Sequence, residues 1–171
     1  MVNPILQRWN EFDVTTAESE ILPCCGSRAW AQELAALRPF SEPEDLLQTS
    51  EDVWSRLDVA DWDEAFSSHP RIGERYAPHM ATAQSAQWSS DEQSSAAGAS
   101  ADIQEQLRRA NAAYEARFGR IYIVCATGKS AEEMLAILLR RMENDDVAEL
   151  REAAEQQQQI TRLRLRKWLQ I

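Results

Sequence analysis

Apolar residues recur at three- and four-residue intervals along most of the chain, the spacing of one helical face. In the stretch from Ser27 to Arg38, Trp30, Leu34 and Leu37 share a face, and Pro39 closes the segment. Pro43-Glu44-Asp45 opens a second helix, with Ser41 as its expected cap and Leu46, Leu47, Val53, Trp54 and Leu57 as its apolar side. A short segment from Val59 to Phe66 leads into a loop around His69. Met80 to Ala101, rich in Ala, Ser and Gln, reads as a loop followed by a helix, because Trp88 needs somewhere to pack. Ser100 or Asp102 begins a helix with Ile103, Leu107, Ala110, Tyr114 and Phe118 facing inward, and Gly119 stops it. Ile121 to Ala126 is β-branched and aromatic, but one strand makes no sheet, so a buried extended connector is expected. Ser130 and Glu133 form a capping box for a helix carrying Met134, Leu135, Ile137, Leu138 and Met142. A last helix runs from about Val147 to Leu169. The chain has no internal repeat, and Gln156 to Gln159 reads as a polar run too short to matter. The expectation is an all-α fold, a single compact multi-helix domain over residues 1–171.

Composition narrows the partners. A chain of 171 residues, 44% apolar with six tryptophans, can bury a substantial core. With 28 acidic and 18 basic residues the net charge is −10, which disfavours nucleic acid and anionic membrane surfaces. Arg162, Arg164, Arg166 and Lys167 are the one basic concentration, suited to a helix C-terminus and one special site. No run approaches the roughly 20 apolar residues that span a bilayer. The first residues lack the basic flank and apolar core of a signal peptide. Cys24, Cys25 and Cys125 are an odd count with two adjacent, a poor disulfide framework, so a cytoplasmic setting is expected.

The candidate chemistry centres on Ser67-Ser68-His69-Pro70-Arg71-Ile72-Gly73-Glu74. Histidine, with an ordinary pKa of about 6.5, exchanges protons near neutrality. Pro70 keeps His69 extended and ends the preceding helix, while Gly73 permits close backbone approach. A bland alternative is a loop histidine with its hydrogen bonds satisfied; His79 has no such setting and reads as surface. His69, His79 and Glu74 lack the spacing of metal ligands, so no metal is expected. Trp88-Ser89-Ser90-Asp91-Glu92-Gln93 is the second candidate segment. Ser89 with Glu92 three residues on looks like a capping box, and a helix start there would offer N–H groups to an anion. Glu92 beside His69 would orient the imidazole, and Gln93 could read amide groups. Gly128-Lys129-Ser130 resembles the end of a phosphate loop, but Ile123 stands where that motif needs glycine. Arg164 alone would read as a solvated helix position beside Arg162 and Arg166.

Taken together, Cys24-Cys25-Gly26-Ser27-Arg28-Ala29-Trp30, Arg38-Pro39-Phe40 and Ala65-Phe66-Ser67-Ser68-His69-Pro70-Arg71-Ile72-Gly73 resemble the N-terminal half of one family. Trp88 to Gln93, Arg117-Phe118-Gly119, Tyr122 to Ser130 and Leu163-Arg164-Leu165 continue the match in order. The chain resembles the 2-oxo-4-hydroxy-4-carboxy-5-ureidoimidazoline (OHCU) decarboxylases of uric acid breakdown. The resemblance implies an all-helical homodimer without a cofactor that forms (S)-allantoin and carbon dioxide from a small ureidoimidazoline. It implies that His69 is the catalytic histidine and Glu92 its partner acid. Pro70, Ser89, Ser90, Asp91, Glu92, Gln93, Ile123, Val124, Cys125, Ala126, Thr127 and Arg164 match the family's substrate-contacting positions. Gln93 is followed by Ser94-Ser95-Ala96 where the family often has Ala-Gly, a departure confined to the next turn.

Residue chemistry is consistent with that implication. Loss of carbon dioxide leaves an electron pair that the substrate's conjugated ring can accept, so the step needs a proton donor rather than a metal or pyridoxal. His69 would deliver that proton, Glu92 would tune it, and Arg164 would hold an anionic or carbonyl edge through its planar fork. Two other classes stay open at this level: a non-catalytic helical dimerisation or adaptor module, and a cyclic-amide hydrolase with a water-activating His–Glu pair.

Overall fold

A computed structural model describes residues 3–74, 78–79 and 81–171. Ten α-helices account for most of them: α1 (Pro4–Glu11), α2 (Val14–Ile21), α3 (Arg28–Ala36), α4 (Pro43–Arg56), α5 (Val59–Ser67), α6 (Ala83–Glu92), α7 (Ser94–Ala97), α8 (Ala101–Phe118), α9 (Ala131–Arg141) and α10 (Asp146–Leu169). A single 3₁₀ turn, Leu22–Cys24, follows α2. No strand occurs among the described residues, so the all-α expectation holds. The contacts group into two compact units, residues 1–65 with 158–171 and residues 66–157.

In the first unit α2 packs on α3 and α3 on α4. Hydrophobic spacing marks no helix before Ser27, yet α1 and α2 form there, both capped by side chains. Asn3 Oδ1 accepts from the N–H groups of Ile5 and Leu6, and Asp13 from that of Thr16. These helices span only eight residues each, too short for periodicity to stand out. Packing supplies what propensity lacks. Trp9 is fully buried, stacks with Phe40 at 6.1 Å, meets Trp168 edge-on at 5.8 Å, and donates its indole N–H to the Ala17 carbonyl. Trp30 is equally buried and donates to Ser50 Oγ at 3.2 Å, so both indoles pair their polar atom inside the core. The expected cap of α4 was Ser41. Glu42 occupies that place instead, its N–H donating to the Asp45 carboxylate, because Pro43 sits at the first helical position.

The second unit is built on α8 against α9. Leu107, Ala110, Tyr114 and Phe118 form the inner stripe of α8, and Ala131, Met134, Leu135 and Leu138 that of α9. Ser100 caps α8 through its hydroxyl to the Ile103 N–H, and Gly119 closes it at φ 70°, the left-handed conformation that favours glycine. Ser130 and Glu133 make the expected reciprocal capping box on α9. Tyr122 to Ala126 is buried and lies in neither helix nor strand, as a connector would. One expectation fails here. Ser89 does not begin a helix; α6 starts at Ala83 with Thr82 Oγ1 accepting from the Ser85 N–H, and Ser89 to Glu92 are its last turn. Both Thr82 and Ser89 have a cap's chemistry, and Trp88, only 6% exposed, packs where the longer helix carries it.

Candidate active site

The second unit places the His69 loop by three fixings. The His69 N–H donates to the Phe66 carbonyl, so the chain leaves α5 as a tightened turn before Pro70 turns it outward. Asn111 on α8 donates its amide to the Ile72 carbonyl at 3.0 Å. Arg71 forks onto both carboxylate oxygens of Glu115, also on α8, and lies 3.4 Å from Glu74. Arg71 is thus spent on holding the loop.

The end of α6 meets this loop. Gln93, 8% exposed, accepts the Gly73 N–H with its side-chain oxygen at 3.0 Å. Gly73 has φ 89°, so its carbonyl and N–H take directions that a side-chain-bearing residue adopts only under strain. A cavity of about 340 Å³ opens here, lined by Pro70, Gly73, Glu74, Ala86, Ser90, Gln93 and Ala97. Its size lies in the range that holds small metabolites. Pro70, Ser90 and Gln93 therefore share one cavity. Ser89 is buried, Ser90 and Asp91 are exposed, and Glu92 is half-buried at the last position of α6. Because this is a helix end and not a start, the anion-binding argument from exposed N–H groups does not apply to Ser89.

His69 itself is 8% exposed, and its Nε2 lies 2.7 Å from Oε1 of Gln157, which is fully buried on α10. The neighbouring residue, Gln156, accepts the Cys125 N–H at 2.9 Å. The polar run set aside in the sequence therefore matters: two adjacent glutamines grip the histidine and the connector. Nothing in their spacing betrays this; a buried glutamine at position 157 among three exposed or half-exposed ones is visible only in the fold.

Ile123, Val124, Cys125 and Ala126 are buried, while Thr127 is exposed. Arg141, fully buried, donates to the Ile123 carbonyl at 2.7 Å and forms an ion pair with the equally buried Glu149. Tyr114 donates to the same carboxylate, and Asn144 adds a third donor at 2.9 Å. Burial and the adjacent carboxylate push the Tyr114 phenol well above its ordinary range. Lys129 reaches back to the Cys125 carbonyl at 2.7 Å, so it ties the turn down and is not poised for a phosphate.

Arg164 belongs to the first unit. It is 1% exposed and donates to the Pro23 carbonyl at 3.3 Å, which rules out the solvated position of the bland reading. Beside it, burial pushes the Cys24 thiol far up and the Cys25 thiol up to about 12. All three cysteines are buried thiols outside any disulfide. His79 is exposed, as expected. Among the described residues no cluster of three His, Cys, Asp or Glu converges as metal ligands, and no helix is long and apolar enough to cross a membrane.

Comparison with known proteins points one way. The sequence model of the OHCU decarboxylase family matches residues 10–166. The "Uric acid degradation bifunctional protein TTL" of Arabidopsis thaliana is 40% identical over 152 residues, 88% of this chain and 46% of that protein. The chain thus spans about half the length of that relative. The "2-oxo-4-hydroxy-4-carboxy-5-ureidoimidazoline decarboxylase" of Amia calva is 32% identical over 78% of this chain and 75% of its own length. A crystal structure of OHCU decarboxylase in the presence of (S)-allantoin is 36% identical, with TM-score 0.77 over 89% of this chain and 98% of its own. An (S)-allantoin synthase, 15% identical with TM-score 0.69 over 95% of this chain and 53% of its own, shares the fold alone.

Proposed function

The chain belongs to the OHCU decarboxylase family, and we propose that it converts 2-oxo-4-hydroxy-4-carboxy-5-ureidoimidazoline to (S)-allantoin in uric acid degradation, as a carboxy-lyase. The observation that carries the reading is the shared cavity: the loop bearing His69 and the segment ending at Gln93 line it from two sides. In the reaction the bond from the ring carbon to the carboxylate breaks, carbon dioxide departs, and its electron pair passes into the conjugated ring. A proton then adds to one face of a ring carbon and fixes the product's hand. His69 supplies that proton, and Glu92 orients and tunes it. Positioned acid–base catalysis of this kind contributes on the order of 10²–10⁴-fold. Ser89, Ser90, Asp91 and Gln93 read the ureido group and ring amides, Pro70 shapes the wall, and the backbone of Ile123, Val124, Cys125, Ala126 and Thr127 offers N–H and C=O groups. Arg164 grips a carboxylate or carbonyl edge; a buried guanidinium suits planar, bidentate recognition.

The family's sequence model runs across residues of both units, which supports one decarboxylase domain over residues 1–171. The active form is proposed to be a homodimer, checked by sedimentation equilibrium. Three buried cysteine thiols suit a reducing, cytoplasmic setting. The test is circular dichroism during enzymatic uric acid breakdown. Excess (S)-allantoin should appear only with the native protein, and His69→Ala, folded and of unchanged assembly, should give the racemate of spontaneous decay. Undiminished stereoselectivity in that variant overturns the assignment.

A further inference from the structure

Gln157 carries no role in the reaction proposed above, yet it is fully buried and its side-chain oxygen lies 2.7 Å from Nε2 of His69. An amide oxygen can only accept a hydrogen bond. An unprotonated Nε2 at that distance would set two lone pairs against each other in a site with little water. The hydrogen bond therefore requires a proton on Nε2, whether the imidazole is neutral or charged. With Nε2 committed, the proton that the ring gains and loses is the one on Nδ1. Gln157 gains its leverage from α10, a helix of 24 residues whose next-door side chain, Gln156, is itself fixed on the Cys125 N–H.

We propose that Gln157 is a positioning residue that holds His69 in the Nε2–H form, making Nδ1 the nitrogen that delivers the proton to substrate. This rests on the decarboxylase reading for the substrate, but not for the tautomer, and the two separate experimentally. The protein has only two histidines, and the second, His79, is exposed, so His79→Asn leaves a single imidazole to observe. Long-range ¹H–¹⁵N spectra of that protein above the ring's pKa should show a protonated-type Nε2 and an unprotonated-type Nδ1. Gln157→Leu should lose this preference and lower kcat about tenfold or more, with KM changed by less than about threefold. Gln157→Glu, nearly the same volume and still an acceptor, should keep the Nε2–H tautomer and stands in if the leucine variant does not fold. A native ring protonated on Nδ1, or a Gln157→Leu spectrum and kcat like the parent's, overturns the assignment of Gln157. The expected spectrum in a protein that forms no allantoin overturns the decarboxylase reading instead, and with it the delivery of the proton to substrate.

Discussion

Arg141 and Glu149 are both fully buried, and the carboxylate is shared among Arg141, Tyr114 and Asn144. Desolvating two charges costs several kcal/mol each, so the pair is tolerable only because its remaining donors and acceptors are matched. One of them is the Ile123 carbonyl, which lets a buried charge fix the start of the connector. Removing one partner leaves the other charge uncompensated. Glu149→Gln or Arg141→Met should each cost about 3–5 kcal/mol in urea unfolding. The double replacement Arg141→Met with Glu149→Gln should cost less than the two singles summed, as a double-mutant cycle would read. This network was not legible in the sequence, because its members lie up to 35 positions apart on α8, α9, the turn after it and α10, and nothing local marks them as buried. His69 was legible for the opposite reason: Pro70 and Gly73 constrain the backbone by local chemistry that the sequence carries in full.

Helices announced themselves where length let periodicity accumulate, as along α8, α9 and α10, and where a cap was unambiguous, as at Ser130. They did not where two caps competed. Thr82 and Ser89 are both able to start a helix, and the tertiary packing of Trp88 decided for the longer one. The Ser130 cap offers a clean measurement. Its hydroxyl accepts the Glu133 N–H at 3.1 Å, and Ser130→Ala should destabilise the protein by about 1 kcal/mol at neutral pH. The Ser130 backbone N–H and hydroxyl hold the Glu133 carboxyl below its ordinary 4.5. Since the folded value is the lower one, the contribution of this charge is present above pH 4.5 and fades as pH falls through the depressed value. The stability difference between Glu133→Gln and the parent should therefore shrink toward the acid side of that window in pH-dependent unfolding.

At the level of the whole molecule, the family match over residues 10–166 fits a sequence whose recognisable segments are spread along its full length. The all-α class was readable from hydrophobic spacing, whereas the grouping of contacts into two units depends on which helix faces meet, and no single segment encodes that. The last helix shows what such dispersed encoding demands. Glu149 and Gln156 are seven residues apart, almost two full turns, and so share one line of the helix, Glu149 pairing with Arg141 and Gln156 accepting the Cys125 N–H. Arg151 and Glu155, between them, are exposed and should accept most replacements. A change in length is another matter. One extra alanine after Arg151 would swing everything downstream by about 100°, unfastening Gln156 and Gln157 in a single step while leaving the upstream ion pair whole. That insertion should abolish allantoin formation and, since it also turns buried Ala153, Ile160 and Leu165 out of register, lower the melting temperature at least as much as Glu149→Gln. The stretch from 150 to 155 thus behaves as a ruler, fixed in count, with Ala153 and Ala154 buried and only its exposed positions open to replacement.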